Sequence, residues 1–269
     1  KTALSPLWGI EMLEQAGLQK GLFQVVCGEG PDVGPTFIDN ANYVMFTGST
    51  ATGRVIGERC GRNLIGCCLE LGGKNPMIVL EDADLDEVVQ GAIFGAFGNT
   101  GQICMHIERM YLPRSRYEEF KATFVRATEA LDVRAAYDFG PDLGSLVSVD
   151  HMERVKSHVD DAVAKGATVL TGGRPRPDLG PAFFEPTILE NTPPDAIHAT
   201  IETFGPVVSL YAYDTVDEAV ALANDTDYGL NASVWGTDLD AATAVARRIE
   251  SGNVNVNDIL ATAFASKGT

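Results

Sequence analysis

The feature that most constrains the fold is an alternation of short apolar runs with helix-periodic segments. Tyr43-Val44-Met45-Phe46 reads as a strand, Thr47-Gly48-Ser49 as a turn, about Thr50 to Arg59 as a helix, and Leu64 to Leu71 as a second strand. The rhythm returns with a strand from Met77 to Leu80 and a helix opening at Asp82-Ala83-Asp84, its acidic first turn suited to the helix dipole. Val88, Val89, Ala92, Ile93 and Phe97 form that helix's apolar stripe. A strand through Met110, Tyr111 and Leu112 and a helix from about Arg116 to Leu131 follow. Helices over Asp150 to Lys165, Asp217 to Asn224 and Leu239 to Glu250 are then interleaved with strands Ala167 to Leu170, Val207 to Tyr211, Asn231 to Trp235 and Asn253 to Val256. Such alternation predicts βαβ units around a parallel sheet, the α/β class. Upstream, Leu4 to Ala16 has helical spacing and Phe23 to Cys27 reads as a strand. Phe183 to Leu189 reads as extended, with Pro186 arguing against a central strand. The rhythm pauses at Gly72-Gly73, which places a boundary between domains 1–72 and 73–269.

Three stretches carry candidate chemistry. In Phe97-Gly98-Asn99-Thr100-Gly101-Gln102-Ile103-Cys104, glycines and an Asn-Thr pair break the helix and leave Cys104 just before a strand. Backbone N–H groups at such a junction can stabilise a thiolate, or the oxyanion formed when it attacks a carbonyl. A lone cysteine is more often inert and buried. In Leu69-Glu70-Leu71-Gly72-Gly73-Lys74, a carboxylate interrupts an apolar run. Burial there would raise the Glu70 pKa toward the range of a general base, whereas a strand-end glutamate facing water would do nothing of the kind. Gly48-Ser49-Thr50-Ala51-Thr52-Gly53 opens a helix and reads either as a phosphate site or as an ordinary capped turn. It lacks the G-x-G-x-x-G fingerprint.

The formal charge of −17 disfavours nucleic acid and anionic membranes as partners. Five cysteines without framework spacing predict a reducing, cytoplasmic setting, and neither cysteines nor histidines have zinc-ligand spacing, so no metal is expected. Lys1 is not a methionine and the last residues read as a loop, so the chain reads as an internal piece of a longer protein.

Taken in order, Phe46-Thr47-Gly48-Ser49, Leu69-Glu70-Leu71-Gly72-Gly73-Lys74, Gly101-Gln102-Ile103-Cys104 and Glu202-Thr203-Phe204-Gly205-Pro206-Val207 resemble the aldehyde dehydrogenase superfamily in sequence and spacing. Ile107-Glu108-Arg109-Met110-Tyr111 and Asn253-Val254-Asn255-Val256-Asn257-Asp258 look most like the NADP-type succinate-semialdehyde dehydrogenases. The resemblance implies that residues 1–72 are the second half of a Rossmann-like cofactor domain, followed by an α/β catalytic domain at 73–269. It also implies NADP or NAD as cofactor, a small aldehyde as substrate and a homo-oligomeric parent. Cys104 would form a thiohemiacetal and then a thioester, with its own N–H as an oxyanion donor, and Glu70 would activate the hydrolytic water. Gly48, Ser49, Gly53 and Leu71 would lie along the cofactor, Glu202 would hold the nicotinamide ribose, and Phe204 would pack near the nicotinamide. Asn257 and His106 fall in the substrate region. His106 stands where a small residue is expected; it either narrows the substrate tunnel, influences the thiol or fills space. Ile201 replaces a carboxylate often found before Glu202. The family's oxyanion asparagine, a cofactor lysine and the residue choosing NAD or NADP fall upstream of Lys1, and a C-terminal strand falls beyond Thr269. The expectation is therefore that this chain alone is inactive. A CoA-acylating relative is disfavoured by Glu70, and a non-enzymatic homologue by the Cys104 and Glu70 pair.

Overall fold

The computed structural model describes residues 3–138 and 140–260. The chain divides at Leu71/Gly72 into two compact units. The first holds helix α1 (Leu4–Gln15), helix α2 (Gly30–Asp39), strand β1 (Tyr43–Thr47), helix α3 (Thr50–Asn63) and strand β2 (Gly66–Glu70). β1 and β2 pair in parallel, Tyr43 opposite Gly66 through Thr47 opposite Glu70. Ser49 caps α3 by accepting from the Thr52 N–H, and Leu64 ends the helix in the left-handed region. That cap uses two residues read from sequence as the start of the next strand, which therefore begins at Gly66.

Two further sequence expectations fail in this unit. Phe23 to Cys27 forms no strand, because among the described residues β1 and β2 pair only with each other and no ladder partner reaches it. Phe23 and Val26 are exposed. The spacing of α1 is helical as read, yet none of its residues is buried within the chain.

The second unit is built on a seven-stranded sheet. Its strands are β3 (Asn75–Val79), β4 (Ile107–Pro113), β5 (Thr168–Thr171), β6 (Thr187–Glu190), β7 (Val207–Tyr213), β8 (Asn231–Trp235) and β9 (Asn253–Val256), in the order β5-β6-β7-β4-β3-β8-β9. All neighbours are parallel except β5 against β6. The helices are α4 (Leu85–Phe97), α5 (Tyr117–Glu129), α6 (Val149–Ala164), the short α7 (Ile197–Thr200), α8 (Val216–Asn224) and α9 (Leu239–Ala246). Side-chain caps start most of them: Asp84 for α4, Ser148 for α6, Thr215 for α8 and Asp238 for α9. β6 is an interior strand. Pro186 is tolerated because the strand begins one residue after it.

Strand alternation sends side chains to two cores. Met77, Val79, Met110 and Leu112 pack on one face with Val88, Ala92, Phe97, Phe120 and Phe124 of α4 and α5. Ile78, Tyr111 and Val234 pack on the other face with Ala219, Val220, Ala242 and Val245 of α8 and α9. Burial on both faces explains why these strands read as unbroken apolar runs. Among the described residues no helix is long and apolar enough to cross a membrane.

Candidate active site

β7, β4, β3 and β8 are adjacent and parallel, so the segments that enter them lie side by side at one edge of the sheet. These are the loop 201–206, the turn 102–106, the segment 72–74 and the start of β8. Cys104 is half-buried in a turn closed by the His106 N–H donating to the Ile103 carbonyl at 3.0 Å. Ahead of it, Asn99, Thr100 and Gly101 have φ of 51°, 59° and 69°. Three left-handed residues in a row, two of them not glycine, mark a strained approach to the turn. Gly101 is obligatory there, since a Cβ would lie 2.1 Å from the Gly205 carbonyl oxygen.

Asparagine side chains hold the turn from below. Asn75 Nδ2 donates to the carbonyls of Cys104 (2.8 Å) and His106 (2.7 Å), and its Oδ1 accepts from the Asn231 N–H (3.1 Å). Asn231 Nδ2 donates to the Met105 carbonyl at 3.0 Å. Three successive carbonyls around the thiol are thus pinned. Asn75 can do this because the ladder to β4 shifts register between Asn75 and Pro76, and Pro76 has no N–H to give. Asn255 in turn donates to Asn231 Oδ1 at 2.9 Å.

Beneath the turn lies a buried ionic cluster. The Glu108 carboxylate accepts from the Thr203 N–H (2.8 Å) and the Phe204 N–H (3.0 Å) and is ion-paired with Lys74. His106 Nε2 lies 2.9 Å from Glu108 Oε1, an ion-pair contact not aligned as a hydrogen bond, and His106 Nδ1 lies 2.7 Å from the Ile103 carbonyl. Lys74 also donates to the Ile201 carbonyl at 3.0 Å. Burial alone would raise the Glu108 pKa, but Lys74, then His106 and His198, outweigh it and hold the carboxyl well below its usual range. Burial lowers the Lys74 pKa, opposed by Glu108. His198 and His158 both place Nδ1 on the Thr203 hydroxyl, at 2.8 and 3.1 Å. Burial, followed by the charge of Lys74, lowers both imidazoles, His158 to about 4.

Glu202 accepts from the Gly73 N–H at 3.0 Å, and burial raises its carboxyl pKa. Gly72 leaves room for it: a Cβ there would stand 2.2 Å from Glu202 Oε2. Phe204 has φ of 55°, and its ring meets the edge of His106 at 6.3 Å between centroids. The structure thus assembles Cys104, His106, Glu202 and Phe204 at one edge of the second unit.

The remaining candidates lie elsewhere. Asn257 follows β9 at the opposite, carboxyl end of the strands, where its amide both accepts from the Gly236 N–H and donates to the Gly236 carbonyl. His106 is buried against Glu108, so of its three readings the tunnel-narrowing one finds no support in its position. In the first unit, Gly48, Ser49, Gly53 and Leu71 come together at the start of α3. The Gly48 N–H donates to the Glu70 carbonyl at 3.0 Å, and a Cβ on Gly53 would lie 2.5 Å from the Leu71 side chain. Glu70 ends β2 and is exposed, so the burial assumed for it from sequence is absent. The sequence reading missed Asn75, Asn231 and the role of Glu108 with Lys74. A charged pair, Glu108-Arg109, inside an otherwise apolar strand was the available signal.

The profile of the Aldehyde dehydrogenase family matches residues 1–267. A provisionally named succinate-semialdehyde dehydrogenase of the NADP(+) type from Mycolicibacterium smegmatis is 49% identical over 266 residues, which cover 99% of this chain and 52% of that protein. A glutarate-semialdehyde dehydrogenase of Pseudomonas aeruginosa is 37% identical over 96% of this chain and 53% of its own length. A crystal structure of betaine aldehyde dehydrogenase from Staphylococcus aureus in complex with NAD+ superposes with a TM-score of 0.90 at 32% identity, over 94% of this chain and 51% of that one. The chain therefore spans about half the length of the relatives it matches.

Proposed function

Because the chain belongs to the aldehyde dehydrogenase family, we propose that its protein oxidises an aldehyde to a carboxylic acid with NADP or NAD, using Cys104 as nucleophile and Glu70 as base. The observation that carries this reading is the Cys104 turn, whose carbonyls at 104, 105 and 106 are all held by Asn75 and Asn231. A thiol so fixed can meet a carbonyl repeatedly in one geometry. Succinic semialdehyde is the favoured substrate, by likeness to relatives named for it. A cytoplasmic setting fits the free cysteines among the described residues.

The residues suit a dinucleotide. The start of α3 offers N–H donors and the Ser49 hydroxyl to a pyrophosphate, while Gly48 and Gly53 let this turn and helix pack closely on Phe46 and Leu71. Glu202, fixed by Gly73 in a cradle that only glycine at 72 leaves open, is an acceptor for ribose hydroxyls, with the Phe204 ring in the same loop. When bound, the oxidised nicotinamide supplies the hydride acceptor.

The Cys104 thiolate adds to the carbonyl carbon, forming a C–S bond and placing the electron pair on oxygen. Collapse of that oxyanion expels the C–H hydrogen as hydride and leaves a thioester on Cys104. Glu70 takes a proton from water, the resulting hydroxide attacks the thioester, and the C–S bond breaks to return the thiolate and release the acid. Exposure suits Glu70 to exchange its proton with solvent afterwards.

The test is nicotinamide reduction by the protein carrying this chain, with succinic, glutaric and simple alkyl aldehydes. Cys104→Ala should abolish turnover. Glu70→Gln should give one equivalent of reduced nicotinamide and then stall, with the acyl group found on Cys104 by mass spectrometry. Turnover that survives Cys104→Ala, or an acyl group on another residue, overturns the reading.

A further inference from the structure

We propose that Cys60 and Cys67 form a redox-active thiol pair, separate from Cys104, which a hydroperoxide converts to a disulfide and a small thiol reduces again. The inference does not rest on the function proposed above.

The packing of α3 on β2 brings the two residues together. A Cβ on Gly53 would lie 2.5 Å from the Leu71 side chain, and one on Gly57 would lie 3.4 Å from that of Leu69. Residues 53, 57 and 60 share one face of the helix, and residues 71, 69 and 67 share one face of the strand and its continuation. The next step of this ladder sets Cys60 against Cys67. Cys60 is almost wholly buried, as this position requires. Its thiol lies close enough to that of Cys67 for the two to share a hydrogen bond, and burial, followed by Cys67, pushes the Cys60 pKa up. Cys68 falls on the alternate face of β2, away from α3.

The backbone on both sides of the pair is held. The Ile65 N–H donates to the Cys60 carbonyl at 3.1 Å, and the Leu64 N–H to the Gly61 carbonyl at 3.2 Å, where Leu64 turns the chain with φ of 55°. Two residues later Cys67 sits in the β1–β2 ladder opposite Val44.

Cys67 is only partly covered and is the thiol that a peroxide meets first. Its thiolate attacks one oxygen of hydrogen peroxide, the O–O bond breaks, and the departing hydroxide leaves a sulfenic acid on Cys67. The Cys60 sulfur then attacks the Cys67 sulfur, the S–O bond breaks, and the hydroxyl leaves as water with the Cys60 proton. The pair gives up two electrons, and the peroxide, with the two thiol protons, becomes two waters. Burial keeps Cys60 from reacting alone and reserves it for the second step. Thiol exchange at the disulfide returns both cysteines.

The test is peroxide treatment of the protein carrying this chain at neutral pH, raised until exposed Cys27 is oxidised. Free thiols are then blocked, and the single-chain band of a non-reducing gel is mapped with trypsin. Cleavage after Arg59, Arg62 and Lys74 puts Cys60 in residues 60–62 and Cys67 with Cys68 in residues 63–74, so the bond joins two peptides. The joined peptides should appear in wild type and in Cys68→Ser, vanish with dithiothreitol, and be absent from Cys60→Ala and Cys67→Ser. Dimedone, which traps sulfenic acids, should label Cys67 several-fold more in Cys60→Ala than in wild type. Far-UV dichroism checks that each variant is folded. Cys60 and Cys67 both still free when Cys27 is oxidised, a bond confined to residues 63–74, or joined peptides that disappear in Cys68→Ser would each overturn the inference. Dimedone labelling unchanged by Cys60→Ala would overturn the order of the two steps and with it the pairing. None of these readouts depends on turnover, so the result stands apart from the assignment of Cys104.

Discussion

Replacing Lys74 with methionine leaves a side chain of similar reach without its charge. Lys74 and Glu108 are both fully buried and ion-paired, and removing one partner of such a pair costs about 3–5 kcal/mol because the other charge is stranded. Glu108 would keep two backbone N–H donors and the His106 contact, so Lys74→Met should fall near the lower figure, about 3 kcal/mol. Glu108→Gln strands the ammonium with only the Ile201 carbonyl and should cost about as much. In the double variant Lys74→Met/Glu108→Gln no charge is stranded, and the amide oxygen can still accept from Thr203 and Phe204. It should lose only about 1–2 kcal/mol, well below the sum of the singles. Urea unfolding followed by Trp235 fluorescence reads the second unit, because Trp235 is buried there and donates to Ser233 Oγ. Trp8, the other tryptophan, lies in the first unit and is already 66% exposed. Midpoints should move with the slope unchanged. Additive costs, or a Lys74→Met variant within about 1 kcal/mol of wild type, would show that the buried charges are not coupled as the geometry requires.

Gly72→Ala places a Cβ 2.2 Å from Glu202 Oε2, and the carboxylate end can swing aside. Stability should change by less than about 1 kcal/mol while the KM for the nicotinamide cofactor rises, and an unchanged KM would count against the role given to Glu202. Gly101→Ala meets the Gly205 backbone and a φ of +69°, neither of which yields, so a loss of about 2–4 kcal/mol in urea unfolding is expected; near wild-type stability would contradict the close approach of the two loops. His158 and His198 have depressed folded pKa values, so the unfolded chain binds their protons first. Their contribution is complete above the ordinary value of 6.5 and falls away as the pH drops through the window down to about 4 for His158. The depressed carboxyl of Glu108 adds a further loss below its ordinary value of 4.5. Urea midpoints for the second unit that stay flat from neutral pH to about 4 would refute this sign.

The sheet of the second unit was legible because its strands are buried on both faces and separated by capped helices. β8 and β9 begin and end where the runs Asn231 to Trp235 and Asn253 to Val256 do. The first unit was harder to read, for a physical reason. Phe23 to Cys27 has strand composition, but a strand exists only where a neighbour completes its ladder, and no described residue supplies one. The same limit applies to Glu70, whose apolar neighbours in sequence say nothing about what covers it in space. At the site, the motif around Cys104 pointed to the thiol, but Gly101 and Gly72 read only as breaks in the helix and in the strand rhythm, and the close approaches they permit appear only in the folded geometry. The asparagine supports were not legible. Asn75, Asn231 and Asn255 lie far apart in sequence and acquire meaning only when parallel strands bring their amides to one edge.

The buried charges need an explanation other than stability, since well-packed apolar groups of the same volume are often as stable or more so. An apolar residue at 108 would leave the Thr203 and Phe204 N–H groups without their acceptor, and those two amides fix the loop at the residue where φ is 55°. A bulky residue in the left-handed region costs about 1–3 kcal/mol and persists only where its surroundings demand it. Glu108 is that demand, and as a carboxylate it can accept several donors at once. Once a carboxylate is buried it must be answered, which accounts for Lys74, and Lys74 is itself held by the Ile201 carbonyl of the same loop. His106 joins the cluster to the Cys104 turn. The ionic cluster therefore follows from one requirement, a strained loop carrying Glu202 held in fixed relation to a thiol, and each charge in it is the consequence of the one before.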